Sequence, residues 1–184
     1  MRSLTGLGRA FAARLGAAAL GLGLAGPAEA ESGSLELAAK ATYLYRLAPF
    51  VTWPGNAATL VGPLFICVQG DDPFGLLLDR IVAGQSVAGR SLIVRRLPRL
   101  EPDSDCAIAY VAGSSAQSQA QALAAVEKAP VLTVTDAARG GARGIVHLHL
   151  EGGQVRFSID AAKAEIAGVE ISSKLLALAV VVKR

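Results

Sequence analysis

Two cysteines, two histidines and a few paired acids are the residues whose types and spacing could do chemistry in this 184-residue chain. Cys67 and Cys106 are the only cysteines. Each falls in an apolar run that reads as a strand, residues 64–68 and 106–111, and neighbouring strands of a parallel sheet can bring two cysteines to bridging distance. An even cysteine count in an exported chain favours a disulfide. Closing a loop of about forty residues stabilises a fold by roughly 4 kcal/mol on the chain-entropy account. Three readings stay open: a structural staple, a redox switch that loosens a working surface on reduction, and two free thiols. A thioredoxin-type active site has no support, because no C-x-x-C occurs.

His147 and His149 are the only histidines. Alternate residues of a strand share a face, so both rings could meet one metal ion. No third ligand stands near in sequence except Glu151, at a turn, and zinc sites need three or four protein ligands. Two solvent-facing strand residues are the expected outcome. The run Gly84-Gln85-Ser86-Val87-Ala88-Gly89 is one residue too long for a G-x-S-x-G nucleophile elbow and follows a helix rather than a strand. Asp71-Asp72 and Asp103/Asp105 sit beside turns and prolines, where capping explains them without acid–base catalysis. Arg95, Arg96 and Arg99 form a basic run that reads as a solvated face or as a docking surface for an acidic protein. Trp53 reads as a core plug, although tryptophan is also a frequent interface anchor. No catalytic constellation, cofactor motif or metal set emerges.

The compartment follows from the first thirty residues. Arg2, Arg9 and Arg14 precede an apolar stretch over 15–27, and Ala28-Glu29-Ala30 offers the small residues that a signal peptidase reads. The expectation is a signal peptide over 1–30, removed after Ala30 to leave a domain over 31–184 in the periplasm. A G-x-G-x-x-G run at 21–26 falls inside this leader, with no strand before it, and carries no weight as a dinucleotide fingerprint. Removing the leader takes away three Arg and one Glu and lowers the net charge from +3 to +1. A near-neutral domain gives no reason to expect nucleic-acid binding.

The elements that must position these groups alternate. A helix is expected over 34–48, capped by Ser34, with Leu37, Ala41, Leu44 and Ala48 on one stripe and Pro49 ending it. Trp53-Pro54-Gly55-Asn56 reads as a turn. Strands follow at 64–68, 91–97, 106–111 and 131–134. Helices separate them at about 73–83, with Asp72 as cap, Pro73 at the first position and Gly84 closing it, and at 115–128, started by Ser115. Residues 145–150 and 155–159 alternate around Glu151-Gly152-Gly153-Gln154, a β-hairpin. Asp160 caps a short helix closed by Gly168, and Ser172 caps a last, buried helix carrying Leu175, Leu178 and Val182 on one face. Such alternation predicts one α/β domain: a mixed, mostly parallel sheet, helices on both faces, and an antiparallel hairpin near the C-terminus.

Five blocks spread from Lys40 to about Ala179 resemble the YfiR family. They are Lys40-Ala41-Thr42-Tyr43-Leu44-Tyr45 with Phe50-Val51-Thr52-Trp53-Pro54; Phe65-Ile66-Cys67-Val68-Gln69-Gly70 with Asp72-Pro73-Phe74-Gly75; Cys106 heading a strand; Pro130-Val131-Leu132-Thr133-Val134-Thr135-Asp136; and Val155-Arg156-Phe157-Ser158-Ile159-Asp160 with Ile171-Ser172-Ser173-Lys174-Leu175-Leu176. The resemblance implies a periplasmic repressor that restrains an inner-membrane diguanylate cyclase through its periplasmic part. It also implies sequestration by an outer-membrane lipoprotein, a homodimer, and disulfides that support the repressing form. Cys67 and Cys106 match the family's shared pair. The type member's second pair has no counterpart here, and Asp160 stands where Asn is usual.

Two functions from different classes follow. The first is a non-catalytic regulatory protein acting by protein–protein contact on a cyclase or sensor kinase. The second is a periplasmic small-solute binding protein. Its site would lie beyond the carboxyl ends of the parallel strands, walled by the turns after Gln69 and Val111.

Overall fold

Runs buried on both faces take the centre of the sheet. The computed structural model describes residues 27–54 and 62–184. The leader run at 21–26, and Gly55 and Asn56 of the expected turn, lie outside the described residues. Strands β2 (Leu64–Gly70), β5 (Ile108–Gly113) and β6 (Leu132–Asp136) are almost wholly buried. They pair in parallel and are joined on one side by β4 (Arg90–Leu97). Strand β7 (Val146–Glu151) adds to β6 in parallel, then turns back through Gly152-Gly153 into β8 (Gln154–Asp160) as an antiparallel hairpin. The full order is β10-β8-β7-β6-β5-β2-β4-β3, with β3 at Ser86–Val87 and β10 at Val181–Lys183. A separate two-stranded pair joins β1 (Val51–Thr52) to β9 (Glu170–Ile171). The α/β class, the mostly parallel sheet and the late hairpin are as the sequence implied.

Side-chain alternation divides the interior into two layers. On one face Ile66, Val68, Tyr110, Val134, Leu148 and Ile159 meet α1 (Pro27–Arg46) and α2 (Leu76–Val82). On the other, Cys67, Ala109 and Val111 meet α3 (Gln119–Ala125) through Ala122 and Val126. Helices therefore lie on both faces. The short helices α4 (Ala161–Ile166) and α5 (Ser173–Leu176) fill the path from β8 to β10.

Several expected boundaries move, each for a local reason. Helix α1 starts at Pro27, upstream of the expected cleavage point, so Ser34 is inside it and donates to the Glu31 carbonyl at 2.8 Å instead of capping. Proline at the first position and glutamates in the following turn suit a helix start. Helix α2 starts at Leu76, not Pro73. Asp72 closes a local turn by accepting from the Phe74 amide at 2.7 Å, and Gly75, at φ +49°, precedes the helix. Helix α3 starts after Ser118, which forms a capping box with Gln121; Ser115 is not its start. Asp160 and Ser172 do cap, accepting from the Lys163 and Leu175 amides. The expected long last helix stops at Leu176, however. Val180, Val181 and Val182 are β-branched and favour extended backbone, and β10 pairs in parallel with β8. The nucleophile-like run 84–89 is a tight hairpin, β3 to β4, turning at Ala88 and Gly89 with φ +51° and +77°.

Candidate functional site

Cys67 and Cys106 form a disulfide, with Cα atoms 5.8 Å apart. Cys67 lies mid-strand in β2, opposite Ala109 of β5. Cys106 is not in a strand: it stands two residues before β5, where the chain enters the sheet. Both are buried, at 0 and 5 % exposure. The free-thiol reading falls. Trp53 packs beside this end of the sheet and donates Nε1–H to the Ala107 carbonyl at 2.9 Å, so its polar tip is fixed and its ring only partly buried.

The basic run is spoken for internally. The Arg95 guanidinium stacks 4.6 Å from the Phe65 ring centroid and donates to the Ser104 carbonyl. Arg96 holds Asp79 through both terminal nitrogens and Asp72 through Nε, at 2.5 to 3.1 Å. That contact draws the Asp79 carboxyl below its ordinary range and raises the Arg96 guanidinium. Arg99 pairs with Glu101 at 3.1 Å and donates to the Ala116 carbonyl. These cations fasten the strand–helix connections; they do not present a free basic surface.

The crevice expected to bind a solute is filled by the chain itself. Gly70 and Gly113 meet backbone to backbone where β2 and β5 end, and a Cβ at Gly70 would collide with the Gly113 carbonyl. The buried Gln69 amide donates to the Gln117 carbonyl at 3.1 Å and accepts from the Gly113 amide at 3.1 Å. Gln117 in turn bonds both the N–H and the C=O of Leu100. The turns after Gln69 and Val111 are thus packed on each other through these contacts.

A buried ion pair that the sequence reading missed ties α1 to the sheet. Lys40 and Asp136 lie 2.5 Å apart at 3 and 4 % exposure, with Glu36 2.5 Å from the same ammonium. The Tyr110 hydroxyl donates to the same Asp136 oxygen at 3.3 Å, and burial beside that carboxylate raises the phenol above its ordinary range. The signal was legible: Lys40 is one turn before Leu44 on the helix's apolar stripe. The neighbouring Tyr43 donates to the Val155 carbonyl and sets its ring edge-on to Phe157 at 5.6 Å.

His147 and His149 share a face, as alternation required. His147 is buried rather than solvent-facing, with Nδ1 2.9 Å from Thr135 Oγ1; His149 is half-buried. Among the described residues no group of three or more His, Cys, Asp or Glu could hold a metal ion.

Among the described residues, four of the eight exposed large apolar side chains lie at the C-terminal margin. Leu178, Val180 and Val181 are 64, 48 and 57 % exposed, and Ile166, at 52 %, ends the helix that packs against β10. Among the described residues β10 pairs on one side only, with β8. Clustered exposed apolar side chains and an open strand edge are the usual marks of a protein-contact surface. Among the described residues no helix is long and apolar enough to cross a membrane.

A family model described as YfiR/HmsC-like matches residues 37–180, which include the buried Lys40 anchor, both cysteines, and the margin as far as Val180. No curated protein matches the chain.

Proposed function

Because the chain belongs to the YfiR/HmsC-like family, we propose that it is an exported, non-catalytic regulator of cyclic di-GMP signalling that acts by protein contact. In this reading the leader over 1–30 is removed and the domain over 31–184 works in the periplasm. It docks on the periplasmic part of an inner-membrane diguanylate cyclase or sensor kinase and restrains it. Pairing into a homodimer and sequestration by an outer-membrane lipoprotein would set how much of it is free to dock.

The observation that carries the contact reading is the apolar margin along β10, where an open strand edge and exposed Leu178 and Val181 coincide. A partner strand laid along that edge would gain main-chain hydrogen bonds and bury those side chains. In this reading the buried cystine is a staple of the sheet's sealed half, away from this margin.

Deletion of the gene followed by complementation tests the reading. The account expects cyclic di-GMP to rise on deletion and to fall again with the wild-type chain. The variant Leu178→Asp/Val181→Asp should accumulate at wild-type level and fail to restore repression. Unchanged cyclic di-GMP on deletion, or full complementation by the variant, would overturn it.

A further inference from the structure

We propose that the open face of β7, β8 and β10 carries a binding site for a small oxyanion, a carboxylate or phosphate group, with Arg143 and His147 as its principal donors. A cavity of about 450 Å³ lies on this face. Arg143, His147, His149, Ser158, Asp160 and Lys183 line it, together with aliphatic side chains. The volume falls within the range of small-molecule sites, which combine an apolar lining with a few convergent polar groups.

The site is built, not incidental. The Thr135 hydroxyl accepts from the Gly144 amide at 2.9 Å and the Thr133 hydroxyl from the Ile145 amide at 3.0 Å, pinning the loop that carries Arg143. The Lys163 ammonium holds the Arg143 carbonyl from the other side. Among the described residues the Arg143 guanidinium itself has no hydrogen-bond or ion-pair partner. Thr135 Oγ1, already an acceptor from Gly144, has its own proton to place. The Nδ1 of His147 at 2.9 Å is a nearer acceptor than the Val146 carbonyl at 3.5 Å. Hydrogen-bond accounting therefore assigns the ring proton to Nε2, which becomes a donor toward the cavity.

Charge points the same way. The only carboxylate lining the cavity, Asp160, already accepts from the Lys163 amide and pairs with Lys183 at 3.3 Å. Burial and the positive Arg143 nearby push the His147 imidazolium down, as expected where a cation-rich pocket awaits an anion. An oxyanion would offset that excess and accept from guanidinium and imidazole together. Strand β10 is both a wall of this cavity and the proposed docking margin. Any effect of occupancy on the partner rests on that docking reading; the binding itself does not.

The test is calorimetric titration of the full chain with succinate and, separately, inorganic phosphate, at constant ionic strength. Saturable binding is expected for at least one probe, and which one binds identifies the group. Arg143→Gln should weaken it at least tenfold, and Lys183→Gln less. The ring resonances of His147 should shift with occupancy in the wild-type chain. Absence of saturable binding of either probe, or equal binding by Arg143→Gln, would overturn the proposal.

Discussion

Beneath α3 the sheet face is Cys67, Ala109 and Val111, sealed by a helix and by a cystine. Two strands along, the same face is Thr135, His147 and then His149 and Ser158, and it borders a cavity. Both halves belong to one sheet with one hydrogen-bond ladder. The opposite face is mostly apolar in both halves, so the difference lies in what each half must cover. Apolar side chains on both faces require a helix on each; polar side chains on one face tolerate solvent or a ligand. Asp136 ends β6, the strand at the seam, and there the ion pair with Lys40 ties the sheet to α1.

The sealed half should be the more sensitive to perturbation. Replacing both cysteines, Cys67→Ala/Cys106→Ala, is expected to lower unfolding free energy by about 4 kcal/mol in denaturant titration, since the bridge closes a separation of 39 residues. Folded wild-type protein should also resist alkylation under mild reductant and become labelled only in denaturant. Stability unchanged by the substitutions would erase the contrast between the halves.

The seam comes next. Lys40→Met leaves the Asp136 carboxylate buried without its cation, an expected loss of about 3 kcal/mol. Lys40→Met/Asp136→Leu should recover most of it, because the penalty belongs to the unpaired charge. Additive losses in that double-mutant cycle would show that the two groups do not interact.

The open half should respond mainly to pH. The folded-state pKa of His147 lies below the ordinary value of 6.5. The unfolded chain therefore binds the proton first on acidification, and folding stability rises with pH across that window. The contribution is fully present above about pH 6.5 and is lost as pH falls through the folded-state pKa. His147→Gln should flatten the stability profile in that window, measured by thermal unfolding between pH 7 and pH 5. An unchanged slope would place the sensitivity elsewhere.

The halves also differed in how much the sequence disclosed. Continuous apolar runs at 64–68 and 131–134 read directly as buried strands, and two cysteines in an exported chain read as a pair. Periodicity located the late hairpin because Gly152-Gly153 marks its turn. The last strand is masked in the sequence because Leu175, Leu178 and Val182 fit a helical face equally well; only pairing with β8 decides between the two, and pairing is not local. The burial of His147 is hidden for the same reason, since its partner Thr135 and the loop anchor Thr133 lie twelve and fourteen residues away. The filled crevice depends on Gln69 and Gln117, polar residues whose burial no composition pattern announces. The exposed margin could have been suspected from three consecutive valines beside a charged C-terminus.

Site-specific photo-crosslinking in cells tests the regulatory account most directly. A photoreactive residue at Val181 should yield an adduct with the periplasmic part of an inner-membrane cyclase or kinase, while one at the exposed Glu127 beyond α3 should not. Adducts at both positions alike, or at neither while repression persists, would contradict docking through the β10 margin.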